Sequence, residues 1–402
     1  MRLYALLLLV LVPGLGRAAS SSSPAAAAKS PQAARKNFVL EVVRSAVALP
    51  QPDPQDRLRV LRSAATVIAP FDSVTAKRLA REGAHLEADL IASGQTPTVS
   101  VLSAGQADCA TAKEFVESIP ASAVQRAEDS LVSAITLCKA AQIPARAKVE
   151  SALDSGVVAS RALLALMEIS GANSAWSQAQ FTKMFSSLPS DGLKQAPDFA
   201  AMFSRMAPAV DKDSAKEAGL KFLDWLATQK DGGERTLAIN LSTEALRNAL
   251  GEEAYADALR SDPVALTVSQ LAGPSTETEH PPDDGVSVLK AMAAKGEDHD
   301  DALRAMPPAH RAREAAAHGF AAGTSGDRKT ADRYFDIAFS AVDEVWSDRA
   351  KTSDAPAIVE EVSEAAAQVD AVAALRRSQR LEDPSSQAIS MIAVARVVVG
   401  QQ

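Results

Sequence analysis

The sequence predicts an all-α protein: an array of about 16–20 antiparallel helices, α-solenoid-like or an irregular helical bundle, closed by one intramolecular disulfide. Three observations predict it. Apolar residues recur in steps of three and four along most of the 402 residues, the spacing of one helix face. Runs of alternating polar and apolar residues, the mark of a half-buried strand, are missing; the one candidate, PTVSVLS after Gly94, is too short to build a sheet. Aromatics are few, with 11 Phe, 3 Trp and 3 Tyr. The core must therefore be Ala, Leu, Val and Ile, and small side chains let helices approach closely.

The chain opens MRLYALLLLVLVPGLGRAASSSS. A single positive charge at Arg2, an apolar run to Gly16 and then small residues have the layout of a secretory signal peptide, assigned to 1–20. The apolar run is shorter than the roughly 20 residues a membrane-spanning helix needs. Cleavage is expected near Ala18 or Ser20, and no cysteine stands there to carry a lipid. Residues 21–35 read as a flexible Ser/Ala-rich leader. Cleavage would remove Arg2 and Arg17, taking the formal charge from −8 to about −10. An acidic exported protein without a basic cluster is a poor match for nucleic acid, whose phosphates demand one. RLAREGAHLEADL and ALRRSQRLED mix acids with their bases and read as solvated helix faces.

Helix starts share one chemistry. Asp53-Pro54, Asp262-Pro263 and Asp383-Pro384 each offer an Asp oxygen to orphan N–H groups and a Pro that has none to lose. Ser122-x-x-Gln125 reads as a capping box. Prolines 70, 120, 144, 189, 208, 307 and 356 punctuate the remainder. Clear stripes are Gly219, Phe222, Leu223 and Leu226, then Ala331 to Val345 in TADRYFDIAFSAVDEVW, then Ile358, Val362, Ala365, Val369 and Val372. AISMIAVARVVVG, from Ala388 to Gly400, is the most apolar later stretch, but it is too short for a membrane segment and Arg396 interrupts it, so it reads as a packed terminal helix. GPSTETEHPPDDG, residues 273–285, reads as an acidic Pro/Gly linker between helical regions 36–272 and 286–400. Such a run of helical pairs packed through small residues resembles, as a class, the α-solenoids built from tetratricopeptide-like repeats. The resemblance implies a concave face for a protein or peptide.

Cys109 and Cys138 are the only cysteines. Cys109, Ala112, Val116 and Ile119 share one stripe, and Val124, Ala127, Leu131, Ile135 and Cys138 another, with the turn at Pro120–Ser122. In a hairpin both sulfurs would enter one seam, and in an oxidising compartment they would be joined. One geometric objection stands. Cys138 lies about 17 residues past the turn and Cys109 about 11 before it, a height difference of roughly 9 Å at ~1.5 Å per residue. The gap closes if the stretch after Cys109 is partly extended or the helices cross. C-x-x-C redox spacing is missing, as are further zinc ligands nearby.

Other constellations read as structural. His310, Glu314 and His318 share a helix face, but two turns separate the histidines, about 12 Å, too far for one ion. His280 and His299, the latter in GEDHDD, sit in acidic loops without calcium-loop spacing. Gly319–Thr330 holds phosphate-loop ingredients in the wrong order and reads as a helix C-cap. Glu252/Glu253 and Glu360/Glu361 are neighbours that point to different sides of a helix. No catalytic, cofactor-binding or metal residue is assigned, and no cofactor is expected. The expectation is an exported, periplasmic or extracellular, non-enzymatic helical scaffold for a protein or peptide partner in the cell envelope. The alternatives are an enzyme acting on envelope polymers through an unrecognised carboxylate site, and a carrier of a small apolar ligand.

Overall fold

The computed structural model describes residues 31–260 and 303–400, apart from 191 and 353. The signal peptide, the Asp262-Pro263 cap, the 273–285 linker, His280 and the GEDHDD loop lie outside the described residues. Among the described residues there are sixteen α-helices and no strand. They are α1 Pro31–Ala48, α2 Pro54–Ile68, α3 Ser73–Ala92, α4 Cys109–Ser118, α5 Glu128–Leu137, α6 Lys139–Asp154, α7 Ser160–Ser170 and α8 Ala175–Ser186. There follow α9 Ala196–Met206, α10 Lys212–Thr228, α11 Gly233–Leu250, α12 Glu252–Leu259, α13 Pro308–Thr324, α14 Arg328–Ser347, α15 Ala355–Ser378 and α16 Pro384–Gly400. None is long and apolar enough to cross a membrane. Helix α1 begins at Pro31, inside the stretch read as a leader. PTVSVLS forms a loop ending in a 3-10 turn at Leu102–Ala104.

The packing is that of a two-layer array. Helix α5 lies against α7, α7 against α9 and α9 against α11, while α4 packs on α6, α8 on α10 and α10 on α12. Contact between each helix and the one two places on is the pattern of stacked helical pairs. At the other end the order breaks. Helices α13 to α16 form their own group, and α16 packs on both α1 and α2 as well as on α15. The C-terminal helix is therefore interior to the row, and one continuous core includes residues from both sides of the expected linker. Two ionic clusters reinforce this join. Arg349, after α14, binds Asp53 and Asp56 at the start of α2. Glu360 of α15 stands between Arg396 of α16 and Arg59 of α2.

Asp53 accepts from Gln55 N, and Asp383 from Ser385 N and Ser386 N, with Pro at the first helical position each time. Asp72, Asp108, Asp211 and Asp327 cap α3, α4, α10 and α14 in the same way. Gly326, at φ 89°, closes α13 in the left-handed conformation that glycine adopts freely, so Gly319–Thr330 is the helix end and loop its composition suggested. The Ser122–Gln125 capping box does not form: Ser122 lies in a 3-10 turn at Ala121–Ala123, and α5 starts only at Glu128. Pro144 does not end a helix either but lies inside α6. The α14 stripe is buried throughout, whereas Val372 at the end of the α15 stripe is 51 % exposed. The cause is a break at Asp370 (φ −154°, ψ 100°), whose carboxylate caps Val372 N and Ala373 N and so restarts the helix in a new phase.

The cysteines form the expected disulfide, with Cα atoms 4.9 Å apart. Helices α4 and α5 have ten residues each, so their rises match, and residues 119–127 cross between them as turns. That removes the height mismatch. Only Cys138 is buried; Cys109 sits at the exposed start of α4, not within a seam. Cys138 also marks the non-helical joint between α5 and α6 (φ −140°, ψ 114°). Replacing both cysteines by Ser should lower unfolding stability by about 3–4 kcal/mol on the chain-entropy model. Urea unfolding of oxidised wild type against the double variant measures it; equal midpoints would show that the bond adds nothing.

Candidate functional site

Open grooves run over the surface of the described residues. The one on α13–α14, about 610 Å³, is lined mostly by charged residues. Within it Arg311 binds Glu344, and Arg377, from beneath, holds Asp332 and Asp336. The groove between α13 and α15, about 420 Å³, has Phe320 at its edge. The third, about 570 Å³, crosses α5, α7 and α9, consecutive members of one layer. It combines an aliphatic floor with charged walls, which makes it the best-formed candidate for a binding site.

Its floor is Val132 of α5 with Leu164 and Ala165 of α7, all part-exposed. On one wall Arg161 of α7 reaches Asp129 of α5 at 2.5 Å and Asp198 of α9 at 3.8 Å. On the other Arg205 of α9 binds Glu168 of α7 at 2.7 Å. Each pair bridges two helices, so the walls fix the spacing of the row. These pairs are largely exposed, and surface pairs of this kind add up to about 1 kcal/mol each. Their value is positional: they present guanidinium and carboxylate groups on both sides of an apolar strip.

Two buried carboxylates stand behind the groove. Glu128 begins α5, yet its side chain caps α7: it accepts from Ala162 N at 3.3 Å and from Arg161 N. Helix α7 has Ala159 at its own cap position and no local side chain to serve it. A carboxylate at a helix N-terminus also meets the favourable end of the dipole. Burial pushes the Glu128 carboxyl above its ordinary pKa, opposed by the Arg161 charge. Glu87 of α3 is fully buried and accepts from Ser130 Oγ and from Val101 N, the latter at 2.9 Å. Burial pushes its pKa up as well, against the pull of those bonds. Both carboxylates spend their oxygens on holding neighbouring segments, which is structural work.

The residues weighed from sequence do not converge. His310 is exposed on α13, Glu314 is half-buried, and the His318 ring lies against Tyr334 at 5.3 Å. No group of three potential metal ligands occurs among the described residues. Glu252 approaches Arg247, Glu360 joins Arg59 and Arg396, and Glu361 binds Arg313, so the adjacent acids serve separate ion pairs. Sequence reading missed Glu87 and Glu128. Their one signal is an acid on an otherwise apolar helix face.

Glu87 carries a clean pH test. Its folded pKa lies above the unfolded one, so its contribution is fully present below the unfolded value and is lost as pH rises through the folded value. Glu87→Gln should remove that decline, leaving the variant at least as stable as wild type at neutral pH, by thermal melts across the acid-to-neutral range. A variant markedly less stable at pH 7 would contradict the assignment. No family model matches the chain, and no curated protein or solved structure does either, so the groove stands on its own geometry.

Proposed function

We propose that this protein is an exported, non-enzymatic helical scaffold that binds a segment of another protein in the groove across α5, α7 and α9. One observation carries the reading: an apolar strip of Val132, Leu164 and Ala165 lies open between two inter-helix ion pairs, Asp129–Arg161 and Glu168–Arg205. An apolar strip takes the aliphatic anchors of a bound segment, and charges beside it fix the segment's register. The floor is narrow and free of aromatics, which suits a short aliphatic stripe on the partner with polar residues beside it. Export rests on the N-terminal leader pattern and on the Cys109–Cys138 disulfide, which persists in oxidising compartments.

A displayed peptide library selected on the folded chain tests the groove. Enriched peptides should share a spaced aliphatic pair and should lose about tenfold or more in affinity, about 1.4 kcal/mol, on Leu164→Glu or Val132→Glu. Both side chains are part-exposed but pack on the core, so affinities are compared at a temperature where melts show each variant to be folded. Enriched peptides that bind these variants as tightly as wild type would move the site elsewhere, and a selection with no enrichment would remove the peptide-binding reading.

A further inference from the structure

Helix α11 presents an outward stripe that packing does not account for. Leu237 and Leu241 are 48 % and 47 % exposed, and Asn240 stands between them, also exposed. The stretch reads Asn240-Leu241-Ser242, the acceptor pattern Asn-x-Ser for N-linked glycan. Asn37, Asn173 and Asn248 each lack Ser or Thr two residues on. The chain thus has one acceptor, and it falls on the surface beside the exposed leucines.

We propose that Asn240 carries an N-linked oligosaccharide that covers the Leu237–Leu241 patch. The inference rests on the export proposed above, through a secretory pathway that supplies lipid-diphosphate-linked oligosaccharide. In the transfer, the Asn240 amide nitrogen forms a bond to the anomeric carbon of the first sugar. The bond from that carbon to the diphosphate oxygen breaks, and the amide proton leaves with the lipid diphosphate. Transfer takes place on the chain before it folds, so the later helical state of α11 is no obstacle. Folding then requires two things, and both are met. Ser242 turns inward and donates to Ala238 O at 2.7 Å, leaving Asn240 outward. The side chain at 240 projects from the free face of α11, so a bulky substituent displaces no packed neighbour. The sugar rings would lie over the two leucines and reduce an apolar patch that otherwise invites self-association.

The full chain, expressed in a eukaryotic secretory cell, tests this. The tryptic peptide Thr236–Arg247 is read by mass spectrometry before and after peptide N-glycosidase in heavy-oxygen water. Asn240 should appear as heavy-oxygen Asp after the enzyme, and the Asn240→Gln protein should migrate as one glycan lighter. Secreted protein with its leader removed and an unmodified peptide would overturn the glycan while leaving export standing. Protein retained in the cell with the leader intact would overturn export and the glycan with it.

Discussion

The seating of α16 is the constraint on which the architecture turns. This helix is apolar on almost every side, with Ala388, Ile392, Ala393, Val394 and Ala395 all at or near zero exposure. A helix of that kind is stable only when surrounded. It is surrounded here by α15 on one side and by α1 and α2 on the other. Small residues make the approach possible: Ser385, Ser386 and Ser390 are buried along with the alanines, and Ser390 bonds Ser363 and Ser378 in a closed hydroxyl chain. A buried hydroxyl without a partner would cost about 1–3 kcal/mol, so the serine chain fixes the rotation of α16 as well as its distance. Arg349 with Asp53 and Asp56, and Arg396 with Glu360, lie around this contact and hold its register.

A second rule governs the middle of the array. Two helices there are capped by a side chain from the adjacent helix of their own layer. Glu128 does so for α7. Lys148 does the converse for α4, placing its ammonium on the carbonyls of Glu117 and Ile119 near that helix's C-terminus, where a cation is favoured. The charges that define the groove walls are thus continuous with those that position the helices beneath. Arg161 donates its backbone N–H to Glu128 and its side chain to Asp129. Groove walls and scaffold share residues, which fixes the shape of the groove.

Much of this was legible in the sequence because it rests on local chemistry. The Asp-Pro helix starts, the α14 stripe and the cysteine pair each depend on residues close in sequence or on a single covalent bond. What escaped depends on long-range contact. The Val372 mismatch arises from the break at Asp370, next to Val369, which packs on Gly323 of α13 so closely that an added Cβ there would lie 2.4 Å from it. Ser122 satisfies the letters of a capping box, yet the connection from α4 to α5 needs turns there, and the box loses. Glu87 and Glu128 look like ordinary helix acids until their distant partners are known. The groove has no motif at all: its lining comes from three helices and the turn at Ser100–Ser103, and is assembled only by stacking.

Because the last helix sits beside the first two, this part of the core cannot close until synthesis has reached its end. At cellular translation rates the ribosome finishes α16 on the order of tens of seconds after α1 has emerged. Over that interval Val39, Val42, Val43 and Ala46 of the nascent chain lack their final neighbour. Helices α1, α2 and α3 can pack on one another at once, but the face that α16 covers stays open until the polypeptide is complete. Closure of the array is in this way reserved for the last residues made, since nothing before Pro384 can fill the place that α16 takes beside α1 and α2.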